Sequence, residues 1–379
     1  MRRSLEMVHF LDLGRGHRKI QRQLFGAMRR AVQQGQFVLG SAVEAFESEY
    51  ADFLGNGALV VGVGNGTDAL EIAIRALDIP VGSEVLVPAN SFIASAIGVE
   101  RAGLTVKFVD PNPDTLLVTA DSFRDKISQN TSALMVVHLY GHVAPMAEIL
   151  DLAREFNLKV IEDAAQSQGA TYKGTRVGCL GDVGATSFYP GKNLGAFGDG
   201  GAVLSRSPEI AQKARLIRNL GSAVKYQHET YGFNSRLDTI QAEILRIKLK
   251  HLAKWNAERA RAVALYDELL SERPEITRPV VLKDTEPAYH LYPVLTKERD
   301  KLQKYLADHN VQTLIHYPTA IPDQPVFRES GAGNQDSFVA ARQASAQLLS
   351  LPLFPGITER EVRFVCEKIV DFFNRRKKP

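Results

Sequence analysis

Two cysteines in 379 residues, Cys179 and Cys366, are too few and too far apart for a disulfide framework. Neither belongs to a CxxC or Cys/His cluster, so no metal ligand set is expected. Such sparse cysteine suits a reducing compartment, and a cytoplasmic location is expected. No apolar run reaches the length of a membrane span. The start, MRRSLEMVHFLDL, has basic residues but no continuous apolar stretch and no small-residue cleavage site, which argues against a secretory signal. The formal charge is only +3, and no basic stripe interleaves with aromatics, so nucleic acid is not an expected partner. The single basic run, Arg375, Arg376, Lys377 and Lys378, reads as a solvated chain end. Repeats and low-complexity segments are absent as well.

What is present is ordinary globular composition, 45% hydrophobic and 23% charged. The length exceeds one ordinary core, so two domains are expected. β-like runs at 58–63, 84–88, 105–110, 134–139 and 158–163 alternate with helical patterns, the signature of an α/β domain with a mainly parallel sheet. The stripe Val43, Phe46, Tyr50 and Phe53 marks one surface helix. Helices are also expected from Thr67 to Leu77 and from Pro145 to Phe156. From Asp238 to Leu270 the pattern is helical and long, leading into a smaller α+β unit. That unit has candidate strands at 279–283 and 290–295, a helix at 297–309, and a last helix opened by the capping box Thr358 and Glu361. The division expected is a large domain over 1–250 and a small one over 251–379.

The most informative stretch is IEDAAQSQGATYKGTRVGCLGDVGATSFYPGKNLGAFGDGGAV. An apolar run delivers Asp163 at its end, and a second β-like run delivers Lys192 inside a Gly-rich loop. A poorly solvated acid near a lysine is what pyridoxal phosphate chemistry requires. The acid keeps a proton on the pyridine nitrogen so that the ring draws in electrons, and the lysine makes the Schiff base. Lys173 competes for that role but lies in TYKGTR, which reads as an exposed hairpin turn. A P-loop is excluded because Thr186 stands five residues before Gly191, where a glycine is required, and Asn193 replaces the magnesium-binding hydroxyl. Upstream, VGVGNGTDAL satisfies a dinucleotide fingerprint at Gly64, Gly66 and Ala69. The next strand ends VLVPANS without the acid that would hold a ribose, so a phosphate at a helix N-terminus is the better reading.

The wording EDAAQS followed by SFYPGKNLGAFGDGGAV resembles the DegT/DnrJ/EryC1/StrS family of nucleotide-sugar aminotransferases, from about Phe10 to the final helix. Because family-like text begins there, Met7 is an alternative expected start. The resemblance implies an aspartate-aminotransferase-like fold type I, with a mainly parallel mixed sheet in the large domain and a small C-terminal α+β domain. It implies pyridoxal 5'-phosphate as cofactor, with pyridoxamine 5'-phosphate between half-reactions, and Lys192 and Asp163 as catalytic residues. Gly66, Thr67, Asp68 and Ser187 would line the phosphate, Phe92 would lie against the pyridine face, and Gln166 would bond the phenolic oxygen. Asn234 would reach the phosphate of a partner subunit, making a homodimer with shared active sites. Tyr189, Lys225, Tyr226, His228, Arg236, His316 and Tyr317 would face the substrate.

The implied reaction moves an amino group from L-glutamate to a nucleotide-linked keto sugar. The loop around Lys192 looks like the branch acting at C3, so a dTDP-3-keto-6-deoxyhexose is the first expectation. A UDP-linked 3-keto sugar or a 4-keto sugar is the alternative. A non-catalytic regulator of the same fold would need a DNA-binding segment, and no helix-turn-helix text flanks the domain. The family's sugar 3-dehydratases carry histidine where this chain has Lys192.

Overall fold

The computed structural model describes residues 7–329 and 338–376. The first six residues and the tail's Lys377 and Lys378 lie outside them, as does the Arg376 side chain. Seven strands form the main sheet: β1 (Leu59–Val63), β2 (Glu84–Pro88), β3 (Thr105–Val109), β4 (Thr131–Val137), β5 (Lys159–Asp163), β6 (Val183–Ser187) and β7 (Gly201–Ser205). Their spatial order is β1-β7-β6-β5-β4-β2-β3. Only β7 runs against its neighbours, β1 and β6; the other pairings are parallel. Val85, Leu86, Val87, Leu134, Met135, Val136 and Ile161 are fully buried. Helices on both faces explain why these strands read as continuous apolar runs instead of alternating ones.

Ligands in open α/β sheets gather beyond the carboxyl ends of the strands. Here the central neighbours β5 and β6 end in Asp163 and Ser187, and Asp163 pairs in register with Ala185. The loop after β4 comes in close behind them. Gly141, at φ 88°, leaves no room for a side chain: a Cβ there would lie 2.7 Å from the His290 nitrogen and 2.8 Å from that of Tyr289. That contact seats the 288–291 segment against the sheet, with Ala288 N donating to Gly141 O at 2.9 Å.

One helix, Thr239–Leu269, runs 31 residues without glycine or proline, roughly 46 Å at the usual rise. Its first half buries Leu245, Leu249 and Leu252 with Phe46 and Phe188. Its second half buries Val263 and Tyr266 with Tyr292, Leu302 and Val365. Position 250 therefore falls inside a continuous helix and not in a linker. The C-terminal α+β unit contains an antiparallel pair, β8 (Tyr292–Leu295) and β9 (Leu348–Leu351), with helices Arg299–Asp308 and Glu359–Arg376. Ile321, Ala341 and Leu348 also join the main-sheet core, while Val8 joins the smaller core.

The strand expected at 279–283 does not form. Pro279 has no N–H to give, Val280 N donates to Asp114 O at 2.8 Å, and Val280 and Val281 stay exposed. The capping box is as expected: Glu361 N donates to Thr358 Oγ1 at 3.2 Å, and Thr358 N to Glu361 Oε2 at 2.8 Å. Among the described residues, no helix is long and apolar enough to cross a membrane, and no His/Cys/Asp/Glu group could hold a metal.

Candidate active site

A cavity of about 1400 Å³ opens above the carboxyl ends of β5 and β6. Gly66, Thr67, Phe92, Asp163, Gln166, Ser187, Tyr189, Lys192, His316 and Tyr317 all border it. Ten of the expected site residues thus converge, from segments spread over some 250 positions.

Asp163 is almost fully buried, and its orientation is held by two donors. Ser95 Oγ donates to Oδ2 at 2.7 Å and Ala165 N to Oδ1 at 3.1 Å. Ser91 Oγ lies 2.8 Å from Ser95 Oγ and extends the chain of hydroxyls. Strand alternation sends the preceding residue to the other face. There Glu162 meets His138 Nε2 at 3.0 Å and accepts from the amides of Gly178, Leu180 and Gly181. Burial alone would raise the Glu162 pKa, but these bonds outweigh it and hold the group below its ordinary value. This buried anchor fixes the strand end that presents Asp163.

Lys192 enters the cavity from the loop after β6, whose first turn closes with Lys192 N donating to Tyr189 O at 2.9 Å. Burial pushes its pKa down to about 8, against an upward pull from the Asp163 charge. At pH 7 the neutral amine is then roughly 300 times more populated than for an ordinary lysine. Its rival Lys173 is exposed at φ 49° in the turn between Thr171–Tyr172 and Thr175–Arg176.

The helix Gly66–Arg75 begins at the cavity edge, capped by Asn65, whose side chain accepts from Asp68 N at 2.8 Å. The first amides of a helix and its positive end suit a phosphate. Gly66 is required there, since a Cβ would stand 2.6 Å from Ser187 Cβ. Asp68, expected to line the phosphate, does not border the cavity. Its carboxylate accepts from Ser235 Oγ at 2.8 Å, Asn65 Nδ2 at 2.9 Å and Arg101 Nη1 at 3.0 Å. A negative group at this helix end would also repel a phosphate, so Asp68 braces the helix start instead.

Phe92 keeps 52% of its surface exposed, with its ring 5.5 Å from that of Tyr317. An open aromatic face bordering a cavity is placed to stack on a planar ligand. Gln166 Oε1 accepts from Tyr140 N at 2.6 Å, and its Nε2 donates to Tyr317 OH at 3.1 Å, leaving one amide hydrogen to offer. Burial and the Lys192 charge push the His316 pKa down to about 4, so its imidazole is neutral at ordinary pH.

Asn234, Arg236, Lys225, Tyr226 and His228 do not border this chain's cavity. Lys225, Tyr226 and His228 ride on the hairpin Ser222–Val224/Gln227–His228, with Lys225 over the Tyr226 ring at 5.0 Å and His228 Nδ1 donating to Leu220 O at 2.8 Å. Asn234 pairs with Asn219, and Arg236 Nη1 donates to Asn219 Oδ1 at 3.2 Å. Sequence reasoning missed Ser95, Tyr140 and His290, which act through long-range contacts that no local pattern encodes, and Asn65, whose cap three residues before Asp68 is a local signal.

The residues present fit pyridoxal phosphate: a buried carboxylate for a ring nitrogen, a lysine of lowered pKa, a helix start for a phosphate and an open aromatic face. Comparison with known proteins agrees. The profile of the DegT/DnrJ/EryC1/StrS aminotransferase family matches residues 18–370. The dTDP-3-amino-3,6-dideoxy-alpha-D-galactopyranose transaminase of Aneurinibacillus thermoaerophilus is 42% identical, over 97% of this chain and 99% of that one. The dTDP-3-amino-3,4,6-trideoxy-alpha-D-glucose transaminase of Streptomyces venezuelae is 40% identical over 97% of each. The crystal structure of S. venezuelae DesV in complex with a ketimine intermediate superposes at a TM-score of 0.94 with 40% identity, covering 97% of this chain and 99% of that one. Sheet order, site placement and match along nearly the whole length lead to one assignment: this chain belongs to the DegT/DnrJ/EryC1/StrS aminotransferase family.

Proposed function

We propose that the protein is a pyridoxal phosphate-dependent nucleotide-sugar aminotransferase that takes nitrogen from L-glutamate and delivers it to C3 of a dTDP-linked 3-keto-6-deoxyhexose. The observation that carries this reading is the convergence of Lys192, its pKa lowered to about 8, and the anchored Asp163 carboxylate in one cavity. The C3 position and the dTDP carrier are supported by the names of the two transaminases above and by the wording of the Lys192 loop.

When bound, the cofactor supplies an electron sink for charge that develops next to the transferred nitrogen. Asp163 holds a proton at the ring nitrogen, in an orientation set by Ser95 and Ala165. The Gly66 and Thr67 amides and the Ser187 hydroxyl bind the phosphate. Phe92 fixes the ring plane, and Gln166 gives its spare amide hydrogen to an oxygen acceptor. Lys192, once released as a free amine, takes a proton from one carbon and returns it to another, a task suited to a pKa near the working pH. Each site is completed by Asn234 of a second copy, in a homodimer.

The test is direct. Purified protein should show an absorbance band at roughly 400–430 nm that L-glutamate bleaches. A panel of dTDP- and UDP-linked 3-keto and 4-keto sugars, read by mass spectrometry, should restore the band with dTDP-3-keto substrates. Lys192→Ala should bind cofactor and turn nothing over; normal turnover in that variant would overturn the reading.

A further inference from the structure

His290 has no part in the reaction as described, yet it borders the same cavity as Lys192. Its backbone is pinned on both sides. Arg259 Nη1 donates to the carbonyls of His290 and Leu353, both at 3.0 Å, and Leu291 N donates to Tyr140 O at 3.2 Å. The imidazole faces Asn193, the residue next to Lys192 in the chain, with Nδ1 3.1 Å from Asn193 Oδ1.

The protonation of that contact follows from its neighbours. Asn193 Nδ2 gives one hydrogen to Ala288 O at 2.8 Å and the other to Asn256 Oδ1 at 2.9 Å. Asn256 is oriented in turn, because its Nδ2 donates to Gln168 O at 2.8 Å. Backbone carbonyls only accept, so both amides are fixed, and Asn193 Oδ1 is left as an acceptor. His290 Nδ1 must then carry the hydrogen. Burial, with the charges of Lys192 and Arg259, pushes its pKa well below the ordinary value, so Nε2 is bare.

We propose that His290 is a positioning residue for Lys192: its Nδ1–H clamps the Asn193 amide and thereby the backbone that carries the lysine. This rests on the reading that Lys192 binds the cofactor. It assigns the buried chain His290–Asn193–Asn256–Gln168 a role in aiming the amine. Gln168 closes the clamp from below, donating to Ser187 O at 2.6 Å and accepting from Leu194 N at 3.4 Å.

Two substitutions separate the ring nitrogens, because asparagine can place an N–H where Nδ1 stands and glutamine places its polar end where Nε2 stands. In the cofactor-loaded protein, His290→Gln should slow the glutamate half-reaction roughly 10- to 100-fold, with KM within about 3-fold of wild type. His290→Asn should stay within about 3-fold in both. Nitrogen–proton correlation spectra of wild-type imidazoles, assigned by the signal lost in His290→Asn, should show a protonated Nδ1 and a bare Nε2. Loss in His290→Asn with retention in His290→Gln, no loss in either, or a protonated Nε2 would overturn the proposal. Borohydride reduction and peptide mass spectrometry read the underlying assumption separately. A cofactor adduct away from Lys192 would refute the cofactor assignment itself, whatever the His290 variants do.

Discussion

Asp163→Asn should drive two measurements in opposite directions. The substitution preserves shape: Ala165 N can still donate to the side-chain oxygen, and the Ser95 hydroxyl can turn to accept from the new amide. What disappears is the charge. The pKa of Lys192, about 8, is the outcome of burial pulling down and Asp163 pulling up. Removing the upward pull lowers the midpoint further. At pH 7 an amine of pKa about 8 is neutral in roughly one molecule in ten, and one of 10.5 in roughly one in three thousand. The variant therefore starts above the wild-type fraction, and its cofactor-free form should capture pyridoxal phosphate covalently faster than wild type at pH 7. Turnover should instead fall by roughly 10²- to 10³-fold, as when one preorganised electrostatic contact is lost, because an amide cannot hold a proton on the ring nitrogen. Stopped-flow absorbance on cofactor-free protein between pH 6 and 10 gives the capture profile. A wild-type midpoint near that of free lysine, or a variant midpoint at or above the wild-type one, would refute the reasoning.

Gly66→Ala drives a methyl against Ser187, where the nearest atoms would stand at 2.6 and 3.0 Å. It should cost about 1–3 kcal/mol in thermal unfolding and weaken phosphate binding in the same preparation. Phe92→Ala should loosen the cofactor about 2- to 10-fold by fluorescence titration while leaving the unfolding midpoint unchanged, because the ring is already half exposed. Co-expressing Lys192→Ala with Asn234→Ala should rescue activity to about a quarter of wild type, since a mixed pair restores one complete site. No rescue would place Asn234 in its own chain's site, and full activity of Asn234→Ala alone would place it outside catalysis.

The acid and the lysine were legible because each ends a run with an unmistakable pattern: apolar residues to Asp163, and strand then glycine-rich loop to Lys192. The helix start proposed for the phosphate was legible for a similar reason, since a strand, a Gly/Asn turn and a helix start lie within a few residues at 59–67. Asp68 was misplaced because sequence shows that a residue is at the helix start but not which way its side chain turns. Only the fold brings Ser235 and Arg101 near enough to claim it. Ser95, Tyr140 and His290 carry no local signal; each matters through a partner at least 26 positions away. The 279–283 segment misled because its branched residues suit a strand, yet Pro279 and the bond to Asp114 take its backbone elsewhere.

The long helix Thr239–Leu269 carries an obligation that its sequence does not advertise. Lys248 donates to Gly195 O, Asn256 to Gln168 O, and Arg259 to His290 O and Leu353 O. Three side chains on one rod thus grip the lysine loop, its floor and the neighbouring segment at once. Each added residue would turn everything beyond it by about 100°. An insertion between Lys248 and Arg259 could keep one grip only by releasing another. Between those points the helix behaves like a toothed bar meshed with the site: individual teeth can be exchanged, but their spacing cannot change.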